Sequence, residues 1–397
     1  MITNKPKLIR ITTVPVAMYK ILKGQLNFLN QYFEIVGICS HERYYDDLKQ
    51  QEGIRLIDVE IRREISFRKD ILAIIRLFRA FRREKPAIIH SHTPKAGLLA
   101  MVAGKLAGVP IRIHTFTGIR FETAHGLFRR LLMWMDRITC FCATTVIPEG
   151  DGVKQTLIRN KITQKPLHKI LNGNINGVDI DYFRPDAVSP TVCRALKNDL
   201  AIGDDDFVIC FIGRIVRDKG INELVSAFDM LSRRHKCVKL LLVGPFESNL
   251  DPVSASTAEI IRTNRHVISV GLQQDVRPYL AISDLFALPS YREGFPNVVL
   301  QAGAMGVPSV VTDISGCNEI IRDGYNGMII PPRQEKPLFD AISGLYSDRQ
   351  KLLEYARNSR GIVVEKFRRE IVWDAILAKY RELMQINGKI QCTLTKE

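Results

Sequence analysis

Short, unbroken apolar runs alternate with longer amphipathic segments along the whole chain, and this alternation restricts the fold more than any other feature. Leu8–Thr13, Glu34–Cys39, Ile54–Val59, Ala87–Ser91, Ile111–Phe116 and Thr144–Ile147 read as strands. Between them, helical spacing predicts Gly24–Tyr32, Tyr44–Glu52, Arg68–Glu84, Lys95–Ala107, Gly126–Cys140 and Asp151–Lys161. A strand that is apolar without alternation is buried on both faces, as in a parallel sheet covered by helices. The pattern breaks at the Gly/Asn/Asp/Pro-rich stretch Gly173–Pro190 and then restarts. Strands are expected at Phe207–Ile212, Val238–Val243, Val267–Val270, Leu285–Leu288, Ser309–Thr312 and Met328–Ile330. Helices are expected at Lys219–Arg233, Val298–Met305, Cys317–Arg322 and Pro337–Tyr346, with two long ones, about Lys351–Lys366 and Arg369–Gln385, closing the chain. The fold class is therefore α/β, with two doubly wound, Rossmann-like domains in tandem, and 397 residues suffice for two cores. The expected division is residues 1–178, residues 179–370, and a terminal helix over 371–397 that returns to the first domain. Ligands on such sheets bind beyond the carboxyl ends of the strands, so a cleft between two facing domains is the expected site.

Charge is unevenly placed. Residues 1–178 hold 29 Lys and Arg against 14 Asp and Glu, whereas residues 179–397 hold 28 of each. The first half thus carries the whole excess of +15, which points it toward something anionic or reflects a solubility bias. No run of about 18 apolar residues occurs, because Lys105 interrupts the most apolar stretch, Leu98–Ile111. Met1–Lys7 lacks the apolar core of a signal peptide, so a cytosolic protein is expected. Of eight cysteines only Cys140 and Cys142 are close, and no second pair completes a zinc site. Buried reduced thiols fit that compartment.

Two segments carry chemistry. Gly213–Gly220 follows a strand and precedes a helix. Gly213 permits close backbone approach, Arg214 can fork onto phosphate oxygens, and Lys219 adds a point charge at a helix start. A surface loop with incidental basic residues is the bland alternative. The second segment, Pro289–Val298, also leads from strand to helix, with Pro296 suited to the first helical turn and free amides able to hold phosphate. Glu293 can accept hydrogen bonds from sugar hydroxyls or, more plainly, complement the helix dipole. Neither segment contains a P-loop or a strict G-x-G-x-x-G.

Arg214 and Lys219, then Glu293-Gly294-Phe295-Pro296-Asn297, then Gly303–Pro308 and Thr312–Glu319, resemble the donor domain of the large retaining glycosyltransferase family 4, which includes capsule and lipopolysaccharide enzymes. The resemblance extends to Gly173–Phe183 and the last helices. It implies the GT-B fold and transfer from a nucleoside-diphosphate sugar, UDP-linked by expectation. It further implies that Arg214 and Lys219 bind the diphosphate, that Glu293 contacts the donor sugar, and that Gly294, Phe295, Pro296, Asn297 and Val298 hold the distal phosphate. Gly213, Gly244 and Gly271 would border the nucleotide, and Gly24, in Leu22-Lys23-Gly24-Gln25, would approach the donor phosphate. Where the family carries a second glutamate on the ribose, this chain has Gln301, which can accept such a bond without charge assistance.

The first half resembles the acceptor domain of the same family. Ile89–Gly97, with His92 and Lys95, looks like an acceptor-side loop, and Thr117 stands where many members have a histidine. His114 reads as a core residue, and Glu149 and Asp151 as helix caps. No metal cluster stands out, and Asp204–Asp206 reads as a solvated loop. Neither cofactor nor metal is expected, since basic side chains and helix termini can stabilise the leaving diphosphate. The resemblance implies retention, with a leaving phosphate oxygen as base. Ile61–Lys85 sets Ile71, Ile74, Ile75, Phe78 and Phe81 at helical spacing among nine Lys and Arg, and Gly126–Arg137 is a second apolar and basic segment. Such helices bind anionic bilayers. The expected partners are a nucleotide sugar, a glycan or polyprenyl-diphosphate-linked acceptor, and the inner face of the cell membrane. A nucleotide-sugar 2-epimerase shares the fold, but the carboxylates and histidines it needs cannot be assembled here. No nucleic-acid module is recognisable in the basic half, so no nucleic-acid partner is expected.

Overall fold

The computed structural model describes residues 5–62, 64–247 and 251–394. Met1–Asn4, Arg63 of the basic stretch, residues 248–250, the Cys392 side chain and residues 395–397, over which the terminal helix was expected to run, lie outside it. The chain divides into two compact units, one running to Gly177 and resuming at Glu370, the other spanning Val178–Arg369.

In the first unit the elements are β1 (Lys7–Ile11), α1 (Pro15–Ile21), α2 (Gln25–Asn30), β2 (Glu34–Cys39), α3 (Tyr45–Glu52), β3 (Arg55–Asp58), α4 (Phe67–Glu84), β4 (Ile88–Ser91), α5 (Pro94–Leu106), β5 (Ile111–Phe116), α6 (Gly126–Cys142), β6 (Thr145–Pro148) and α7 (Asp151–Arg159). The strands form one parallel sheet, ordered β3-β2-β1-β4-β5-β6. Side chains alternate across a strand, so the sheet has two core faces. Leu8 joins Leu26 and Tyr380 on one face, whereas Ile9 and Ile11 join Leu77, Leu99 and Leu132 on the other.

The second unit contains α8 (Pro190–Asp199), β7 (Phe207–Ile212), α9 (Ile221–Arg234), β8 (Val238–Val243), α10 (Ala255–Thr263), β9 (Val267–Gly271), α11 (Arg277–Ala281), β10 (Leu285–Leu288), α12 (Asn297–Ala304), β11 (Ser309–Thr312), α13 (Cys317–Ile320), β12 (Gly327–Ile330), α14 (Glu335–Ser347) and α15 (Arg349–Lys366). Its parallel sheet has the order β12-β11-β10-β7-β8-β9. Helix α16 (Arg369–Leu394) ends the described chain, and from Glu370 it packs with the first unit, where Val372, Ile376 and Tyr380 are buried.

Every expected strand forms, because continuous apolar runs satisfy burial on both faces at once. Four helices, α1, α8, α10 and α11, have no counterpart in the apolar spacing. They are short and bury little, so their signal lies at their ends rather than in a stripe. Pro190 opens α8 after a Ser189 cap whose side chain accepts from the Val192 amide, and Ser254 caps α10 in the same way through Thr257. The expected caps Glu149 and Asp151 are displaced: Gly150 occupies the cap of α7, and Asp151 is its first residue and pairs with Lys169. Nor are all thiols buried, for Cys237 is exposed and Cys193 half-buried, although the seven described cysteines are all free.

Candidate active site

In both sheets the strand order reverses beside the first strand, between β1 and β4 and between β7 and β10. Loops leaving two strands in opposite directions open a crevice there, which is where doubly wound sheets take their ligands. The two segments singled out in the second half leave β7 and β10, and so flank that point.

After β7 the chain passes Gly213 and Arg214, makes a tight turn over Arg217–Lys219, and enters α9 through Gly220. Gly220 has φ +70°, and a β-carbon on it would stand 2.0 Å from the Pro289 carbonyl oxygen. Only glycine admits this contact, which clamps the loop after β7 against the loop after β10. The Tyr291 amide donates to the Asp218 carbonyl at 2.8 Å across the same seam. Lys219 Nζ consequently lies 2.5 Å from Glu293 Oε1, which also accepts from Ser290 Oγ at 2.8 Å. Ser290 is itself fixed by Thr312 Oγ1, which donates to its carbonyl. Lys219 and Glu293 are 18% and 14% exposed, so the pair is shielded yet open on one side.

Arg214 sits at the rim, 2.8 Å from Glu247 Oε2. Burial opposes its charge, but the bond to Glu247 and the fields of Glu247, Asp218 and Glu293 outweigh that and raise its pKa. Two strands, β7 and β10, thus deliver a guanidinium, an amine and a carboxylate to one end of the sheet.

The loop after β10 runs Glu293-Gly294-Phe295 into α12. Gly316, φ +78°, lies so close that a β-carbon would sit 2.3 Å from the Gly294 carbonyl oxygen. Phe295 is buried, with its ring 5.6 Å from that of Phe367. Pro296 is the cap of α12 rather than in its first turn, because the helix opens only at Asn297. The Val299 amide closes the turn onto the Pro296 carbonyl, while the Val298 amide has no acceptor among the described residues. An open amide at a helix start attracts anions. Gln301 lies half-buried on α12, and its side-chain amide bonds no described residue. Gly244 donates its amide to the Gly271 carbonyl at 2.8 Å, so the ends of β8 and β9 are joined.

In the first unit, Gly24 caps α2 with φ +80°, packs under the Trp373 ring, and gives its amide to Glu52 Oε1 at 2.7 Å. Gln25 is fully buried and accepts from Arg10 Nη2 at 2.8 Å, and Arg10 Nη1 donates to Tyr380 at 2.5 Å. Tyr380 in turn meets His90 Nδ1 at 2.6 Å. His92 is buried with its ring 4.2 Å from that of His90, and neither of its ring nitrogens has a partner among the described residues. Burial holds His90 and His92 well below the usual histidine range and His114 at about 3, so all three are neutral. His114 lies in the core against Gly97, as its strand position implies. Lys95 is buried too, 2.5 Å from Asp70 Oδ2 and 2.9 Å from the Glu64 carbonyl. Thr117 Oγ1 donates to the His92 carbonyl at 3.0 Å. The residues expected on an acceptor loop are therefore gathered at the end of β4, with His92 and Lys95 facing inward.

Ser290 and Glu247 hold Glu293 and Arg214 through contacts that the motifs did not suggest. Ser290 stands inside the quoted segment, three residues before the carboxylate it orients, and that short spacing was the available signal. Glu247 is 33 residues from Arg214 in a different loop, so nothing local announced it.

Residues 194–361 match the family described as Glycosyl transferases group 1, and residues 33–173 match the Glycosyl transferase 4-like domain. The chain is 29% identical to the capsular polysaccharide biosynthesis glycosyltransferase CapM of Staphylococcus aureus, over 96% of this chain and 98% of that protein. It is 25% identical to the UDP-Gal:alpha-D-GlcNAc-diphosphoundecaprenol alpha-1,3-galactosyltransferase of Escherichia coli, over 85% of this chain and 86% of that one. Among solved structures it superposes on a glycosyltransferase from Rickettsia africae with a TM-score of 0.81 at 19% identity, covering 96% of this chain and 99% of the other. Against Anabaena HepE in complex with UDP-glucose the TM-score is 0.75 at 19% identity, with 99% and 100% covered.

Proposed function

The two domains make this chain a glycosyltransferase of the GT-B fold, and from that premise we propose that it transfers a sugar, with retention of configuration, from a UDP-sugar to a polyprenyl-diphosphate-linked glycan during assembly of a bacterial surface polysaccharide. The observation that carries the proposal is the Lys219–Glu293–Ser290 cluster beside Arg214 and the open start of α12. UDP as the nucleotide is supported by the Escherichia coli relative's UDP-galactose donor and by the UDP-glucose in the Anabaena structure. The lipid-linked acceptor is supported by the diphosphoundecaprenol substrate of that same relative.

Each group has a task. Arg214 and Lys219 take the donor diphosphate, and the Val298 amide at the start of α12 takes its distal phosphate. Developing negative charge on the leaving phosphate is met by cations already in place, which lowers the barrier without reorganisation. No metal is needed where side chains supply that charge. Lys219 has three protons and gives one to Glu293, leaving two for phosphate oxygens. Glu293, held by Ser290 and Lys219, presents its second oxygen to donor-sugar hydroxyls. The acceptor hydroxyl attacks on the face the phosphate leaves, and a phosphate oxygen receives its proton. The C1–O bond to phosphate breaks as the bond to the acceptor oxygen forms, and UDP departs. Gln301 takes a ribose hydroxyl through its carbonyl oxygen. No described helix is long and apolar enough to cross a membrane. With its acceptor anchored in lipid, the protein works as a peripheral enzyme at the cytosolic leaflet.

The test is a panel of nucleotide sugars assayed for binding and slow hydrolysis, with Glu293→Ala and Arg214→Ala alongside. Wild-type protein should bind UDP-sugars and both variants should bind weakly. If the wild type bound none of the panel, or the variants bound as well as it does, the donor assignment would fall.

A further inference from the structure

Helices α4 and α6 pack on either side of α5, in the layer over one face of the first unit's sheet. The buried residues of α4 are Ala73, Leu77, Ala80 and Phe81, so Phe81 of the apolar stripe seen in sequence belongs to the core. Exposure falls elsewhere, on the first half of the helix. Phe67 is 79% exposed, and Ile71, Leu72 and Ile75 are exposed with it. On α6, Leu127 is 80% and Trp134 58% exposed, and Leu131 and Phe141 share their stripe at spacings of three, four and seven.

The segment before α4 and helix α6 meet over the start of α5. Ile65, just before α4, and Leu132 and Met135 of α6 line one small cavity of about 20 Å³. Helices covering a parallel sheet begin beyond the carboxyl ends of its strands, so this apolar surface adjoins the end of the sheet where ligands bind. Cations are interleaved with it, and Arg68, Arg79 and Arg130 form no ion pair with a described residue. The nearby acid Asp70 is neutralised by Lys95. Large apolar side chains ringed by unpaired arginines suit a ligand with an anionic surface over hydrocarbon, and suit nucleic acid or bulk water poorly.

We propose that the first halves of α4 and α6 form a bilayer-docking face, in which Phe67, Ile71, Leu127 and Trp134 enter the acyl boundary of an anionic membrane while the interleaved arginines engage phosphate headgroups. The purpose of such a face rests on the lipid-linked acceptor, but its detection does not require turnover.

The chain has two tryptophans, and Trp373 is buried with its indole N–H bonded to Asn176. A change in emission on adding vesicles therefore reports Trp134. The full-length protein is mixed with phosphatidylcholine vesicles containing or lacking phosphatidylglycerol. Co-sedimentation and a blue shift are expected with the anionic vesicles at low salt, and loss of both at high salt. Phe67→Ser with Leu127→Ser should weaken binding by about tenfold or more, since each removes a large inserting side chain. Both positions are exposed, so the thermal midpoint and UDP-sugar binding should stay at wild-type values. Absence of sedimentation, equal binding by the double variant, or equal binding to neutral vesicles overturns the proposal. So does a wild-type dimer that the double variant breaks without any vesicle binding, because the face would then cover a second copy. A protein that binds vesicles but no nucleotide sugar would sink the proposed activity and leave this face standing.

Discussion

Replacing Glu293 with glutamine preserves the side-chain shape, keeps an acceptor for Ser290, and removes one negative charge. The structure sets the size of the two effects. Lys219 Nζ and Glu293 Oε1 are 2.5 Å apart, with the side chains 18% and 14% exposed, so this is neither a surface bridge nor a fully desolvated pair. A surface pair contributes ~0–1 kcal/mol and a hydrogen bond to a charged group about 1.5–3 kcal/mol. Glu293→Gln should therefore destabilise the second unit by about 1–2 kcal/mol, or roughly 2–8 °C in midpoint for a domain of this size. If the free carboxylate oxygen binds donor-sugar hydroxyls, the lost charge removes a further ~1.5–3 kcal/mol from the transition state, about 10- to 100-fold in kcat/KM. The assay measures kcat/KM for a UDP-sugar at a temperature at least 20 °C, as an order-of-magnitude margin, below the variant's midpoint. Unchanged kcat/KM, or a loss that disappears once the folded fraction is accounted for, would refute the sugar contact and leave Glu293 as a support for Lys219.

Arg214→Ala should leave stability within about 1 kcal/mol of wild type, because its bridge to Glu247 is largely exposed, while weakening UDP-sugar binding about tenfold or more; titration calorimetry and thermal melts separate the two. Gln301→Glu should tighten UDP binding by about fivefold to tenfold through a charge-assisted ribose contact, and unchanged affinity would remove Gln301 from the ribose. Gly316→Ala should cost about 2–4 kcal/mol, since the β-carbon would meet the Gly294 carbonyl in a left-handed backbone; a wild-type denaturation midpoint would contradict that clamp. Buried His114 has its pKa depressed to about 3, against about 6.5 when unfolded, so the unfolded chain takes up more protons in that window. Stability from neutral His114 is thus present above about pH 6.5 and lost as pH falls toward 3, and urea midpoints that stay flat from pH 7 to 4 would refute it.

The strands were legible because a parallel strand is buried on both faces and leaves no polar alternation; Phe207–Ile212 and Ile111–Phe116 form over the residues expected. The Arg214, Lys219 and Glu293 segments were legible because each sits at a strand-to-helix junction. Their meeting was not, for Lys219 and Glu293 are separated by 74 residues and are joined through Gly220 against Pro289, a contact between two backbones. Nor could spacing tell the solvent side of α4 from the core side, since apolar residues occupy both. Phe81 and Phe67 look alike in the sequence, and only the packing of α5 and the sheet decides that one is core and the other bare.

What the sequence determined by itself was the two parallel sheets and the residue types gathered at their strand ends, because burial and turn chemistry act over a few neighbouring positions. The tertiary structure alone decided which groups touch, that His92 and Lys95 face inward, and which apolar side chains stay uncovered. Those outcomes depend on strand order, and strand order brings together residues too far apart in the chain for local physics to connect.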